Sequence, residues 1–470
     1  MSNKYKTLKT NTIIFTIGNL GSSLISFLLI PLYTNFLSPA EYGQIDFISI
    51  TITLIVPFIT LNFIESIVRF GIDKNYKRKE VLSTCIISVM IISLFMLLVS
   101  LIVYILNLNI KRYFFYLILI NVVAYYQIIQ QSVRALDKLK IFAVADILYT
   151  LLFSLFNIIF LVKIGMGING YFLAYILAYV LASLFLIISS DFKSYISFKY
   201  FNKMYFIEFF KFSLPLIPNS ISWWIINVSD RYMVKIFNGY SELGIYSVAN
   251  KIPQILNSFY SIFFKAWQIS SIKELDKEDT EEFYSNILNA LIKFMFFICM
   301  LTILFLNLIF VLLIGREFDY AIYYVPILLL SIVFYTFASF LGTIYTACKK
   351  STNVLTSTLI AAVINIGINI IFIARYGAIV ACISTLLSYI VLFLYRYFDS
   401  KKFMNIRIKK NNIFIPTILS FIMILNINIY GLSNKNIILN FICITIYLML
   451  NLKYLKKVII NIKERNSLYG

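Results

Sequence analysis

The chain has 470 residues, 61% of them hydrophobic and 13% charged, with a mean hydropathy of +0.87, far from any ordinary water-soluble domain. It carries 41 Lys and Arg against 21 Asp and Glu, a net charge of +20, with no histidine and five scattered cysteines. These numbers exclude imidazole-based metal sites, Ser-His-Asp and Cys-His nucleophiles and imidazole relays, and no cysteine spacing suits a metal. A basic excess dispersed between apolar runs reads as topogenic, facing anionic lipid headgroups, and argues against a nucleic-acid partner.

In chain order, apolar runs predict fourteen spans at 12–36, 44–68, 83–107, 113–133, 141–162, 168–190, 208–230, 242–266, 287–314, 322–346, 353–374, 378–398, 412–430 and 436–455. An α-helix needs about 20 residues to cross a hydrocarbon core. The expected fold class is therefore all-α, a polytopic membrane protein of about 14 transmembrane helices. The first run follows the basic segment MSNKYKTLKT, exceeds a signal-peptide core in length and lacks a small-residue cleavage site, so it reads as an uncleaved first span. The longest gap, 267–286, contains KELDKEDTEE and reads as a solvated, mixed-charge helical linker. No gap is long enough for a soluble catalytic domain, so neither an enzyme nor a cofactor is expected.

Lys and Arg resist translocation and collect on the cytoplasmic side. With alternate gaps assigned to opposite sides, 31 of the 41 basic residues, Arg396 among them, fall on one side and 8 on the other. Both termini are thus expected in the cytoplasm. Only Lys251 and Lys293 lie inside spans.

Two pairs of segments echo each other. FLSPAEYGQI at 36–45 matches FNGYSELGIY at 237–246, aligning Phe36 with Phe237, Glu41 with Glu242 and Gly43 with Gly244. NIIFLVKIG at 157–165 matches NIIFIARYG at 369–377. Both fall at corresponding span ends. They suggest two six-helix bundles, 1–205 and 206–400, in parallel repeat about an axis along the membrane normal, plus two C-terminal helices in 401–470.

The stretches NLGSSLISFLLIPLYTNFLSPAEYG and FSLPLIPNSISWWIINVSDRYMVKIFNGYSELGIYSVANKI resemble the openings of the two halves in bacterial polysaccharide-biosynthesis flippases of the Wzx type, within the multidrug/oligosaccharidyl-lipid/polysaccharide exporter superfamily. The resemblance covers the first twelve spans. It implies transport of an undecaprenyl-diphosphate-linked glycan (an O-antigen or capsule precursor, for example) from the inner to the outer leaflet of the bacterial cytoplasmic membrane. It further implies alternating access, coupling to H+ or Na+, and a polysaccharide polymerase and chain-length proteins as partners. That family has no short catalytic signature, so residue roles rest on the residues themselves.

A diphosphate headgroup with a hydroxyl-rich glycan needs fixed cations and hydrogen-bonding groups in a wet lumen, and intramembrane charge usually faces such a cavity. Lys251 lies about 14 Å into its span at 1.5 Å per residue. Ser247, Lys251, Gln254, Ser258 and Ser261 form one helical stripe, and Thr12, Thr16, Asn19, Ser23 and Ser26 repeat the spacing in the first span. The stripes read either as lumen walls or, for the small residues, as close-packing surfaces, and Lys251 reads either as a lumen cation or as a member of an internal ion pair. Lys293 either faces the lumen or snorkels to the interface. Glu65 and Arg69 stand at i, i+4 and can pair; they form an inward gate or a topogenic arginine with a helix partner. Asp146, near Arg134 and Lys138 in sequence, is a proton or Na+ site or a structural carboxylate. Asp230 and Arg231 neutralise each other, or Arg231 receives the diphosphate on the outer side. Pro215 and Pro218 make the seventh span the expected bent gate.

A cation-coupled small-molecule antiporter of the multidrug type is the competing reading; it would favour acidic, aromatic cavities, whereas the deep charges here are mostly basic. A membrane enzyme of glycan assembly would need an acidic or nucleophilic cluster with a sizeable loop, and the sequence has neither.

Overall fold

The computed structural model describes residues 21, 25–73, 75–105, 111–273, 279–348 and 350–452. The described residues are helix, turn and loop throughout, with no strand among them. Nine described helices are long and apolar enough to cross a membrane, and two shorter apolar helices, Ile25–Phe36 and Asn434–Leu450, accompany them. The chain is thus an all-α, multi-pass membrane protein, and the described residues of each expected span are mostly helical, with turns interrupting several of them. Two compact units emerge, one comprising residues up to Lys235 together with Gly239–Gly244, the other Ile236–Asn238 with the rest of the chain.

Unit 1 contains α1 (Ile30–Phe36), α2 (Pro39–Ile59), α3 (Phe63–Gly71), α4 (Arg78–Ile105), α5 (Lys111–Ala135), α6 (Leu139–Asn157), α7 (Gly167–Ser189) and α8 (Lys203–Ser213). The LSPAEYG stretch is a helix start. Ser38 Oγ accepts the Glu41 backbone N–H at 3.3 Å, Glu41 Oε2 accepts the Ser38 N–H at 3.0 Å, and Pro39 opens the first turn, where its missing N–H costs nothing. The expected second span is not continuous. Pro57 sits inside α2, and the helix ends at Ile59, with Leu61 and Asn62 in left-handed conformation before α3 begins. The short α3 then packs on α8: Ser66 and Ser213 share a hydroxyl bond of 2.6 Å, and Phe70 stacks on Phe209 at 4.7 Å. After α6 the helix loosens to a π-helical turn, Ile158–Lys163.

The helical run α9 (Leu216–Lys273) is broken at Gly239, whose φ of 86° and ψ of −176° only glycine adopts without strain. We call its parts α9a (216–238) and α9b (240–273). Near this break the repeat-related glycines meet. A Cβ on Gly43 would stand 1.9 Å from the Tyr240 carbonyl oxygen, and one on Gly244 would stand 1.9 Å from that of Pro39. Two helix starts touch there backbone to backbone, which is why both positions are glycine.

Unit 2 continues with α10 (Thr280–Leu304), α11 (Leu306–Leu313), α12 (Ala321–Ala347), α13 (Ser351–Tyr376), α14 (Ile379–Ser400), α15 (Asn411–Tyr430) and α16 (Asn434–Leu450). Its centre is α12, buried almost all round, as a helix apolar on every face must be. Phe296, Phe334, Phe337 and Phe393 interlock around it at ring distances of 5.7–6.3 Å. The expected linker 267–286 is shorter than anticipated: α9b runs to Lys273, α10 starts at Thr280, and Trp267 stacks in the core on Phe340 at 4.5 Å. An amide ladder fixes the last two helices, Asn426 to Asn440 at 3.1 Å and Asn440 to Asn436 at 2.7 Å. The second repeat also persists. Gly165 and Gly377 both have φ of 73°, and Asn157 and Asn369 are both fully buried.

Candidate functional site

Unit 1 holds an ion pair near the start of α2. Arg231 Nη1 reaches both carboxylate oxygens of Asp46, at 3.1 and 3.3 Å, with side-chain exposures of 14% and 10%. Asp230 accepts the Arg231 backbone N–H at 2.8 Å. The guanidinium thus pairs with Asp46, a carboxylate 185 residues away in sequence. Asp46 had been missed because a lone carboxylate in an apolar run carries no spacing signal. The surroundings are aromatic. Trp224 Nε1 donates to the Ile50 carbonyl at 3.0 Å, Tyr232 and Thr51 share a 2.5 Å hydroxyl bond, and Lys235 Nζ lies 5.1 Å from the Phe47 ring centre.

A tyrosine band runs through the same unit. Tyr171, Tyr175 and Tyr179 recur every fourth residue on α7 and so share one face. Tyr149 of α6 stacks on Tyr179 at 4.1 Å, Tyr126 of α5 meets Tyr179 at 5.0 Å, and Tyr33 of α1 meets Tyr171 at 5.5 Å and Tyr42 of α2 at 6.2 Å. Asp146 closes one end: its Oδ1 accepts from Tyr126 Oη at 3.0 Å and from Gln130 Nε2 at 2.6 Å. These neutral donors, not Arg134 or Lys138, are its described hydrogen-bond partners; Lys138 Nζ donates instead to the Ser190 carbonyl at 2.6 Å. At the other end Tyr42 lies one turn before Asp46 on α2. The i+4 tyrosine spacing on α7 was visible in the sequence; its convergence with three other helices was not.

The pairing expected between Glu65 and Arg69 does not form. Both side chains are exposed, and Arg69 Nη1 reaches past the end of α3 to Asp73 at 3.2 Å. A backbone N–H from Asn75 and the Arg69 guanidinium hold the Asp73 carboxyl below its usual range. Helix α3 is only nine residues long, so Arg69 sits in its last turn and the loop carboxylate is within easy reach. The expected seventh span, 208–230, is interrupted at Leu214–Pro215, between the end of α8 at Ser213 and the start of α9 at Leu216. Pro215 lies in the turn between α8 and α9, and Pro218 in the first turn of α9a, where proline is tolerated. A second break, at Gly239, falls in the gap expected between the seventh and eighth spans.

In unit 2, Lys251 lies in α9b, half-buried, two residues before the internal Pro253. Val248, Ala249, Ile252, Leu256 and Tyr260 are buried on one side of the helix. Gln254 is exposed, Ser258 and Ser261 are partly exposed, and only Ser247 of this stripe is buried. The stripe from Lys251 onward therefore lies off the unit's core face. Lys293 of α10 is half-buried, with Tyr447 of α16 donating to its carbonyl at 2.7 Å. Asn19, with Thr12, Thr16 and Ser23, lies outside the described residues.

One residue assigned to topology is instead inside. Arg396 of α14 is 7% exposed and ties three helices, donating to the Ala338 carbonyl at 2.9 Å, Ser357 Oγ at 3.0 Å and Thr358 Oγ1 at 3.0 Å. Gly342 makes room for it; a Cβ there would stand 2.6 Å from Nη1. Asp399, one turn on, accepts from Tyr345 Oη at 2.9 Å and pairs with Lys402 at 2.7 Å.

Two helical units of this build, with charged and hydroxyl side chains held among membrane-length helices, place the protein in the class of all-α, multi-pass membrane proteins. The fold is similar to that of the lipid II flippase MurJ in an inward closed conformation, with a TM-score of 0.68 and 15% identity over 95% of this chain and 99% of that one. It is also similar to an inward-facing multidrug resistance MATE family transporter of the MOP superfamily, with a TM-score of 0.61 and 15% identity over 83% of this chain and 95% of that one. A Vibrio cholerae MATE transporter gives a TM-score of 0.55 at 14% identity over 85% and 98% of the respective chains. At these identities the likeness is one of fold. No curated protein matches the chain in sequence. The chain belongs to the polysaccharide biosynthesis protein family, whose sequence pattern matches residues 8–268.

Proposed function

We propose that the protein flips an undecaprenyl-diphosphate-linked oligosaccharide from the cytoplasmic to the outer leaflet of the bacterial cytoplasmic membrane, for O-antigen, capsule or similar surface polysaccharide. Both termini face the cytoplasm, and a polymerase and chain-length proteins receive the product. The two six-helix halves, 1–205 and 206–400, alternate access, and 401–470 adds two helices outside the repeat. The observation that carries this reading is Lys251, a cation deep in α9b on a stripe that lies off the core of its unit. An anionic diphosphate needs such a cation, and intramembrane charge usually faces an interior cavity. Lys293 and Arg69 supply further positive charge along the path, with Gln254 and Asn19 as hydrogen-bonding groups for the glycan. Arg231, held by Asp46 at rest, can exchange that carboxylate for the diphosphate. Asp146 is the coupling site for H+ or Na+. Glu65, Asp230 and the Pro215–Pro218 turn accompany the gating movement. Lys251→Ala should abolish surface glycan while the protein still inserts; normal surface glycan in that variant would sink this assignment.

One observation favours a second reading. The tyrosine band ending on Asp146 has the acidic, aromatic character expected of a cation-coupled small-molecule antiporter. Reconstituted transport with and without an ion gradient, offered lipid-linked oligosaccharide or ethidium, separates the two.

A further inference from the structure

We propose that the tyrosine band of unit 1 is a saccharide platform, on which sugar rings of the cargo stack during transport. This rests on the flippase reading above and names the part of the substrate that unit 1 would hold. Three properties of the band support it. First, Tyr149, Tyr171, Tyr175 and Tyr179 converge from α6 and α7, yet each remains partly exposed and is not sealed in a core. Second, the chain contains 44 phenylalanines and 34 tyrosines, but here tyrosine predominates, with Phe153 in the minority. A face meant for acyl chains would use phenylalanine, whereas these hydroxyls keep a polar edge within the band, Tyr149 and Tyr175 bonding to Tyr179 and Tyr171 to Ser49. A sugar ring presents an apolar C–H face and a hydroxyl edge, so a tyrosine matches it twice, with its ring and with its O–H. Third, planar polar groups bound the band: Gln130 and Asp146 at one end, Asp46 and Arg231 at the other. Carboxylates and carboxamides can bond two neighbouring sugar hydroxyls at once. Successive tyrosines on α7 are about 6 Å apart along the helix, a step suited to passing a saccharide from ring to ring.

The test uses the full chain in proteoliposomes with undecaprenyl-diphosphate-linked oligosaccharide extracted from the producing cells, and ethidium in a parallel set. Flipping is read as glycan becoming accessible to external periodate. The platform predicts that Tyr175→Leu with Tyr179→Leu slows glycan flipping about tenfold, while the double Phe variant stays within about threefold of wild type, because the rings are kept. Unchanged flipping in the Leu pair overturns the platform and leaves the flippase reading standing. A Phe pair as slow as the Leu pair also overturns it, since the hydroxyls would then act as a relay rather than the rings as a surface. Wild type that moves ethidium and no glycan overturns both readings. Should the Leu pair melt early, a photo-crosslinking benzoylphenylalanine at position 175 decides: it must capture saccharide-bearing lipid, and no adduct in a chain that flips the glycan overturns the platform.

Discussion

At the scale of single residues, the charged groups divide by the partners they find. Asp46 and Arg231 are nearly buried and paired, so removing one strips the other of this ion pair. Asp46→Ala is expected to lose about 3 kcal/mol of stability, with the double variant Asp46→Ala/Arg231→Ala recovering part of it, read by thermal unfolding of the purified protein. Arg396 is a different case, bonded to a carbonyl and two hydroxyls. A lysine there cannot reach three directions from one plane; Arg396→Lys should cost about 2 kcal/mol, and an unchanged melting curve would show that the three-way tie is dispensable. Outside the spans, Tyr76 donates to Glu208, and that bond pushes its phenol up to about 12. The raised value means the neutral phenol is favoured in the folded state. Its contribution is complete below about pH 10, where the free phenol titrates, and is lost as pH rises through 12. In Tyr76→Phe the part of the alkaline unfolding profile between those values should flatten, as followed by circular dichroism.

Elements show where the sequence was legible and where it was not. The helices themselves followed from apolar run length, because a membrane span has only one economical backbone. The capped start of α2 was not anticipated: Ser38, Pro39 and Glu41 open the helix at 39, ahead of the span expected from 44. The break between α2 and α3 was not either: proline inside a helix is often tolerated, and nothing local marked Leu61 and Asn62 for a left-handed turn. The seventh span was expected to bend at Pro215 and Pro218, and the helix is interrupted at Leu214–Pro215; the break at Gly239 falls in the gap expected before the eighth span, where a φ of 86° ends the helix. Gly239→Ala should cost about 1–3 kcal/mol. Gly43→Ala is expected to be at least as damaging, since its new methyl would stand 1.9 Å from the Tyr240 oxygen and the two helix starts would have to separate. Comparable expression, melting temperature and transport in Gly43→Ala would refute the close backbone contact.

For the whole molecule, the division of basic residues that predicted topology concealed two kinds of exception. Lys251 and Lys293 were visible as such because they stand inside apolar runs. Arg396 was not, because a basic residue at a span end looks topogenic whether it points to water or into the unit. Asp46 and the tyrosine band were hidden for a related reason: their partners come from distant helices, and only the fold brings them together. The two sequence echoes, by contrast, fall on matching local features, Gly43 and Gly244 on one tight contact and Gly165 and Gly377 on a shared φ of 73°. The central claim is that this assembly carries an anionic lipid-linked saccharide, and reconstituted flipping tests it most directly. Purified protein in proteoliposomes should make extracted undecaprenyl-diphosphate-linked oligosaccharide accessible from the opposite leaflet, faster under an imposed ion gradient, and Lys251→Ala should reduce this to the rate of empty vesicles. Glycan that stays in its leaflet in the presence of wild-type protein, while a small organic cation crosses, would contradict the account.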